Sequence, residues 1–84
     1  MDKNEIRSTI RTFLMDNIFN GDDKGQLKDD TALISSRIMD SIVALKLVSH
    51  LEEKFGIELE AHEVDQENLD TINLMTAFVQ SKMK

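Results

Sequence analysis

At 84 residues, with 40% of them hydrophobic and no Cys or Pro, the chain reads as a single domain over residues 1–84 with enough apolar content for one core. The lack of cysteine excludes a disulfide framework, a thiolate metal site and a cysteine nucleophile, so any thiol chemistry has to come from an added group. Sixteen acidic against ten basic residues give a net charge of -6, which argues against nucleic-acid binding and favours partners with a basic docking face.

Apolar residues recur at helical spacing throughout. Ile6, Ile10, Phe13, Leu14 and Ile18 share one face of a first helix, predicted from about Lys3 to Phe19. Residues 20–39 are more polar. Gly21, Asp22, Asp23 and Gly25 mark turns, while Leu27, Ala32, Leu33 and Ile34 supply anchors, which is the pattern of a long connection tied onto a core. A second helix is predicted from Ser41 to Phe55, ended by Gly56 where a left-handed residue suits the cap. Its inward stripe is Ala44, Leu47, Val48, Leu51 and Phe55, which leaves Ile42 and Val43 exposed in the first turn and Lys46, His50, Glu53 and Lys54 outward. A short third helix is placed between Glu60 and Asn68, around Val64. Asp70 or Thr71 caps a last helix whose stripe is Ile72, Met75, Phe78 and Val79. The expected fold is all-α, a small helical bundle of three longer helices and one short one with a long loop between the first two.

Spacing rejects several chemistries. His62-Glu63 opens like a zinc-protease helix, but Gln66 stands where the second histidine belongs. Asn20, Asp22 and Gly25 imitate a calcium loop, yet its fifth position is Lys24 and its twelfth is Thr31. No metal site is expected. A hydrolase built on Ser41 lacks a partner: His50 lies nine residues further along the same helix, roughly 13 Å away at 1.5 Å per residue. No apolar run approaches a membrane span and no basic-then-apolar segment opens the chain, so a soluble, cytoplasmic and monomeric protein is expected, with no catalytic residues of its own.

The pair Asp40-Ser41 stands where the second helix begins. Either residue can accept a hydrogen bond from the free N–H groups of the first turn. Capping alone explains neither a second small polar residue nor the apolar Ile42 and Val43 at the solvent edge. A docking site explains both, because a phosphodiester on a serine at this position lies at the positive end of the helix dipole.

The segment "MDSIVALKLVSHLEEKFGIEL" (residues 39–59) resembles the acyl carrier protein family, whose signature is Asp-Ser followed by Leu, Ile or Met at the start of a long second helix. The likeness extends to "DDTALI" in the loop, to the acidic segment after the second helix and to "LDTINLMTAFV" at the end, so it covers nearly the whole chain. The resemblance implies that Ser41 carries 4'-phosphopantetheine and that Asp40 supports its attachment by helping to position magnesium and the phosphopantetheinyl transferase. The arm's thiol then holds an acyl group as a thioester, which the protein delivers between downstream acyl-transfer enzymes without doing chemistry itself. Two departures from the family pattern bear on the subtype: Ile38 replaces a common Gly, and Val43 and Lys46 stand where fatty-acid carriers are often acidic. An outward row of Val43, Lys46, His50 and Lys54, with Ile42, gives a partner-binding face of mixed apolar and basic character. "IMDSI" is more similar to free-standing carriers that serve an acyl- or aminoacyl-adenylating ligase in aminoacyl, aryl or specialised lipid pathways. The alternatives are a general fatty-acid synthesis carrier, or a helical interaction module without a prosthetic group in which Ile42, Val43 and the loop form a contact patch.

Overall fold

A computed structural model describes residues 2–22, 25 and 27–83, so the turn marker Asp23 and the Lys24 position of the rejected calcium loop lie outside the described residues. The first helix, α1 (Lys3–Asn17), starts where the Asp2 carboxylate accepts the Glu5 N–H at 2.9 Å. It buries Ile6, Ile10 and Leu14 completely, each such burial contributing about 1.5–3 kcal/mol. It ends two residues earlier than the sequence pattern suggests, although the Phe19 N–H still donates to the Met15 carbonyl. The chain then turns through Asn20 and Gly21, both at positive φ, and the Gly21 N–H also donates to Met15.

The second helix, α2 (Ser41–Phe55), has the predicted bounds, and Gly56 closes it at φ 64. The Glu52 carboxylate accepts the Leu59 N–H at 2.9 Å, which folds the segment after the helix back against it. A single 3-10 turn, Ala61–Glu63, and the one-turn α3 (Gln66–Leu69) occupy the place of the predicted short helix, with Val64 between them. The last helix, α4 (Ile72–Lys82), is capped by Thr71, whose hydroxyl accepts the Leu74 N–H at 3.0 Å. Among the described residues there is no strand, and the architecture is the expected all-helical bundle.

α1 packs chiefly against α4, and α2 meets α1 over a smaller area. The core joins Ile6, Ile10 and Leu14 of α1 to Leu47 and Leu51 of α2, Leu69 of α3, and Ile72, Met75 and Val79 of α4. Thr76, absent from the predicted stripe of α4, is also fully buried. Its hydroxyl donates to the Ile72 carbonyl at 2.7 Å, so the polar group is satisfied within its own helix.

The long connection is anchored at both of its ends. Near α1, Arg11 donates to the Leu27 carbonyl at 2.8 Å and to the Asp29 carboxylate at 2.6 Å, Arg7 faces the same carboxylate at 3.4 Å, and the Asn73 N–H of α4 donates to the Asp29 carbonyl. Leu27, Leu33 and Met39 enter the core. Of the predicted anchors, Leu27 and Leu33 are buried, and Ala32 and Ile34 are half-buried; the periodicity did not include Met39.

Candidate functional site

The site forms at the junction of this loop and α2. Loop backbone bonds fix its approach: the Arg37 N–H donates to the Ile34 carbonyl at 3.0 Å and the Met39 N–H to the Leu33 carbonyl at 2.9 Å. Between them Arg37 sits at φ 65, a left-handed conformation that costs a non-glycine residue about 1 kcal/mol. Met39 is then sunk in the core and Asp40 follows in extended conformation. The Asp40 carboxylate accepts the Val43 N–H at 2.9 Å and its carbonyl accepts the Ala44 N–H at 3.0 Å, so Asp40 is the cap of α2. Ser41 is the first residue of the helix proper and is exposed. It stands beside first-turn N–H groups that have no intrahelical partner.

Around the serine the surface is apolar. Ile42 and Leu45 keep 63% and 65% of their area exposed and Ile38 keeps 38%, a group of large apolar side chains left open to solvent beside Ser41. Beside them lies a groove of about 320 Å³, lined by Ile34, Met39, Ala44, Leu45 and Val64 together with the polar Asp40, Ser41, Asp65 and Gln66. Leu45 was missed as a surface residue. It lies off the stripe of Ala44, Leu47, Val48, Leu51 and Phe55, three residues after Ile42 and four after Ser41, so helical spacing alone puts it on the serine's side.

Two of the expected outward residues are placed differently. Val43 is half-buried and packs against the core, because it precedes Leu47 and Leu51 at successive four-residue steps and so lies over the same face. His50 is half-buried too: its ring stacks on Phe13 of α1 with centroids 4.9 Å apart and planes at 28°. Lys46, Glu53 and Lys54 are exposed as expected. The larger depression of about 500 Å³ around Phe13, His50 and Lys54 lies between α1 and α2, far down the helix from Ser41, and has no part in the serine's surroundings. No cluster of three or more metal-ligating side chains occurs among the described residues.

Asp70 was placed by its sequence as an alternative cap for α4, but its carboxylate turns to the loop. One oxygen accepts the N–H groups of Leu33, Ile34 and Ser35 at 3.1, 2.8 and 2.9 Å, and the other accepts the Ser35 hydroxyl at 2.9 Å. These bonds, the Ser35 N–H foremost, hold the Asp70 carboxyl below the usual carboxylate range against an upward push from burial. Nothing in the local sequence distinguishes this residue from a helix cap, since its partners are more than thirty positions away.

A small helical bundle that offers an exposed serine at the start of its second helix, capped from the preceding Asp and bordered by apolar side chains, has the layout expected of a carrier for a covalently attached group. A family model described as phosphopantetheine attachment site matches residues 5–79, and the chain belongs to that family. No curated protein gives a significant match to the chain. The family holds 4'-phosphopantetheine covalently on a serine, and its carrier domains work with transferases and synthetic enzymes. No helix of the described residues is long and apolar enough to cross a membrane.

The residues at Ser41 fit such a group. The hydroxyl is accessible, a phosphodiester on it would lie at the positive end of the α2 dipole, and the Asp40 carboxylate is directed to the Val43 N–H at the same helix end.

Proposed function

We propose that residues 1–84 form a single carrier domain in which Ser41 bears 4'-phosphopantetheine, and that the protein receives its cargo from an acyl- or aminoacyl-adenylating ligase in a specialised pathway of the cytoplasm. The observation that carries the reading is the exposed Ser41 at the first position of α2, immediately after its capping Asp40. The arm supplies a thiol that holds carboxylic acids as thioesters. The chain's own residues do the rest: Asp40 holds the first turn in place, Ser41 presents its oxygen, and the apolar border of Ile38, Ile42 and Leu45 gives partner enzymes a shape to grip. None of these residues acts on the cargo, so the protein is a carrier and not an enzyme.

The dedicated pathway is favoured by charge. Lys46 and Lys54 lie exposed along α2, where a partner with a basic docking face meets repulsion in place of carboxylates. Asp40 has a second role in this reading, supporting magnesium and the transferase during attachment. Incubation with coenzyme A and a broad-specificity phosphopantetheinyl transferase, followed by intact-mass and peptide analysis, should show one added phosphopantetheine on Ser41. A protein that gains no mass, or gains it elsewhere, refutes the assignment.

A further inference from the structure

The geometry points to Asp70 as a positioning residue for arm attachment: from the junction of α3 and α4 it fixes the loop that delivers Ser41 to the transferase. This inference rests on the reading of Ser41 as the attachment site. The connection can be followed bond by bond. One Asp70 oxygen gathers three consecutive N–H groups, Leu33 to Ser35, and the other takes the Ser35 hydroxyl. The Asp70 carbonyl also accepts the Leu33 N–H at 2.7 Å, so the start of the turn is held by both backbone and side chain. The carbonyls of the same clamped residues then receive the N–H groups of Arg37 and Met39. Met39 is buried, and two residues beyond it stands Ser41. The Asp70 carboxylate is therefore separated from the serine by one hydrogen-bonded turn and a two-residue step.

The strain at Arg37 gives the clamp a purpose. A left-handed Arg is unfavourable in a free loop, and it persists where surrounding bonds determine the backbone on both sides. The bonds from Asp70 determine one side and the burial of Met39 the other. Without the carboxylate, three adjacent N–H groups lose a charged acceptor and the turn from Leu33 to Met39 is free to relax, moving the point from which α2 and Ser41 start. Leu33 and Met39 remain apolar, so the loop still collapses onto the core, but with the serine's approach only fractionally correct.

In the attachment step the Ser41 oxygen forms an ester bond to the phosphorus of coenzyme A that carries pantetheine, the pyrophosphate bond breaks, the adenosine bisphosphate leaves and the hydroxyl proton passes to a base of the transferase. Asp70 touches none of these atoms. Its effect is on the fraction of molecules whose loop is competent, and a reduced competent fraction raises the apparent KM in proportion while kcat is kept.

The test is the kinetics of attachment to the full chain, with coenzyme A and the transferase, for wild type, Asp70→Asn, Asp70→Ala, Ser35→Ala and the core variant Val79→Ala. Each is assayed at a temperature where circular dichroism shows it folded. We expect KM to rise roughly tenfold for Asp70→Ala with kcat held, less for Asp70→Asn, which keeps a neutral acceptor, and about twofold for Ser35→Ala. Amide exchange at Leu33, Ile34, Ser35 and Met39 should accelerate in the Asp70 variants while the interior of α1 stays protected. Val79→Ala, which removes no bond of the clamp, should leave KM unchanged. Wild type modified at Ser41 with Asp70 variants of unchanged KM, or a Val79→Ala effect as large as that of Asp70→Ala, overturns the positioning role alone. A wild type that takes no arm at Ser41 overturns the underlying reading and the inference with it.

Discussion

His50 of α2 stacks on Phe13 of α1, with ring centroids 4.9 Å apart. Together with the burial of Leu47 and Leu51, the contact turns one side of α2 inward and leaves the other for a partner enzyme. With His50 turned to α1 and Val43 packed on the core, the accessible large side chains of α2 include Ile42, Leu45, Lys46, Glu53 and Lys54.

Removing the stack should loosen α2 without touching the attachment site. Aromatic pairs of this geometry contribute about 0.5–1.5 kcal/mol beyond buried area, so His50→Ala should lower stability by an amount of that order while attachment at Ser41 proceeds at the normal rate. Urea unfolding and intact-mass kinetics on the same protein provide the check. A variant of full stability that fails in loading by its ligase would return His50 to the partner-binding face.

Ser41→Ala should fold as wild type does and take no arm, because the serine is exposed and Asp40 still caps the helix. Asp40→Ala should cost about 1 kcal/mol through loss of the cap and also slow attachment. A destabilised Asp40→Ala protein modified at the wild-type rate would restrict Asp40 to capping.

Leu47→Ala and Leu51→Ala remove fully buried side chains and should each cost on the order of 2–5 kcal/mol. Val43→Ala should cost about 1 kcal/mol, in keeping with a half-buried valine at about 0.8 kcal/mol per fully buried methylene. Ile42→Ala should change thermal stability little. If Ile42→Ala proved as damaging as Leu47→Ala, the apolar border of Ser41 would have to be core.

Much of this was legible in the chain before any coordinates. The Asp-Ser pair, the stripe from Ala44 to Phe55 and Gly56 carry local signals of cap, face and stop, and α2 has the predicted bounds. What escaped depended on distant partners or on fine rotation. Asp70 and Thr71 are equally good caps on paper, and only the position of Leu33 to Ser35 decides that Thr71 caps α4 while Asp70 holds the loop. Val43 is on the face of Leu47 and Leu51 by spacing yet at the margin of the stripe begun at Ala44, so periodicity left its burial undecided, and the stack of His50 on Phe13 joins residues far apart in sequence.

Acid should release the Asp70 clamp. The Asp70 carboxyl is held below its ordinary range chiefly by the Ser35 N–H, and that of Glu63 chiefly by the Lys82 ammonium at 2.7 Å, with the Glu60 N–H assisting. A carboxylate whose folded pKa is depressed stabilises the fold above its unfolded pKa, near pH 4, and loses that contribution as pH falls through the folded value. The Tm gap between wild type and Asp70→Asn should thus be full above about pH 5 and close on further acidification. Glu63→Gln should behave similarly but more weakly, since the half-buried ion pair with Lys82 lies at the surface, where salt screens it. A gap independent of pH would mean that the charge of Asp70 adds nothing to its hydrogen bonds.

Partner choice should follow the exposed charges of α2. Reversing Lys46 and Lys54 to Glu leaves the core, the cap and Ser41 alone, because both lysines are exposed. Val43 is unsuitable for the same purpose, since an aspartate there would be driven into half-buried surroundings. Charges at the rim of an interface act chiefly on association rate and on rejection of wrong partners. On the proposed dedicated-ligase reading, the double variant Lys46→Glu/Lys54→Glu should therefore lose roughly tenfold in loading efficiency with an adenylating ligase that serves the wild type while becoming a better substrate for fatty-acid synthesis enzymes, which expect an acidic face. With attachment at Ser41, arm transfer should change less, because Lys54 is more than three turns away and Lys46 alone lies within two. Acyl transfer to wild-type and variant holo proteins from both sets of enzymes distinguishes the outcomes. A wild-type protein already served efficiently by the fatty-acid enzymes, with no gain in the variant, would remove the dedicated-ligase reading and leave Ser41 as the attachment site of a general carrier.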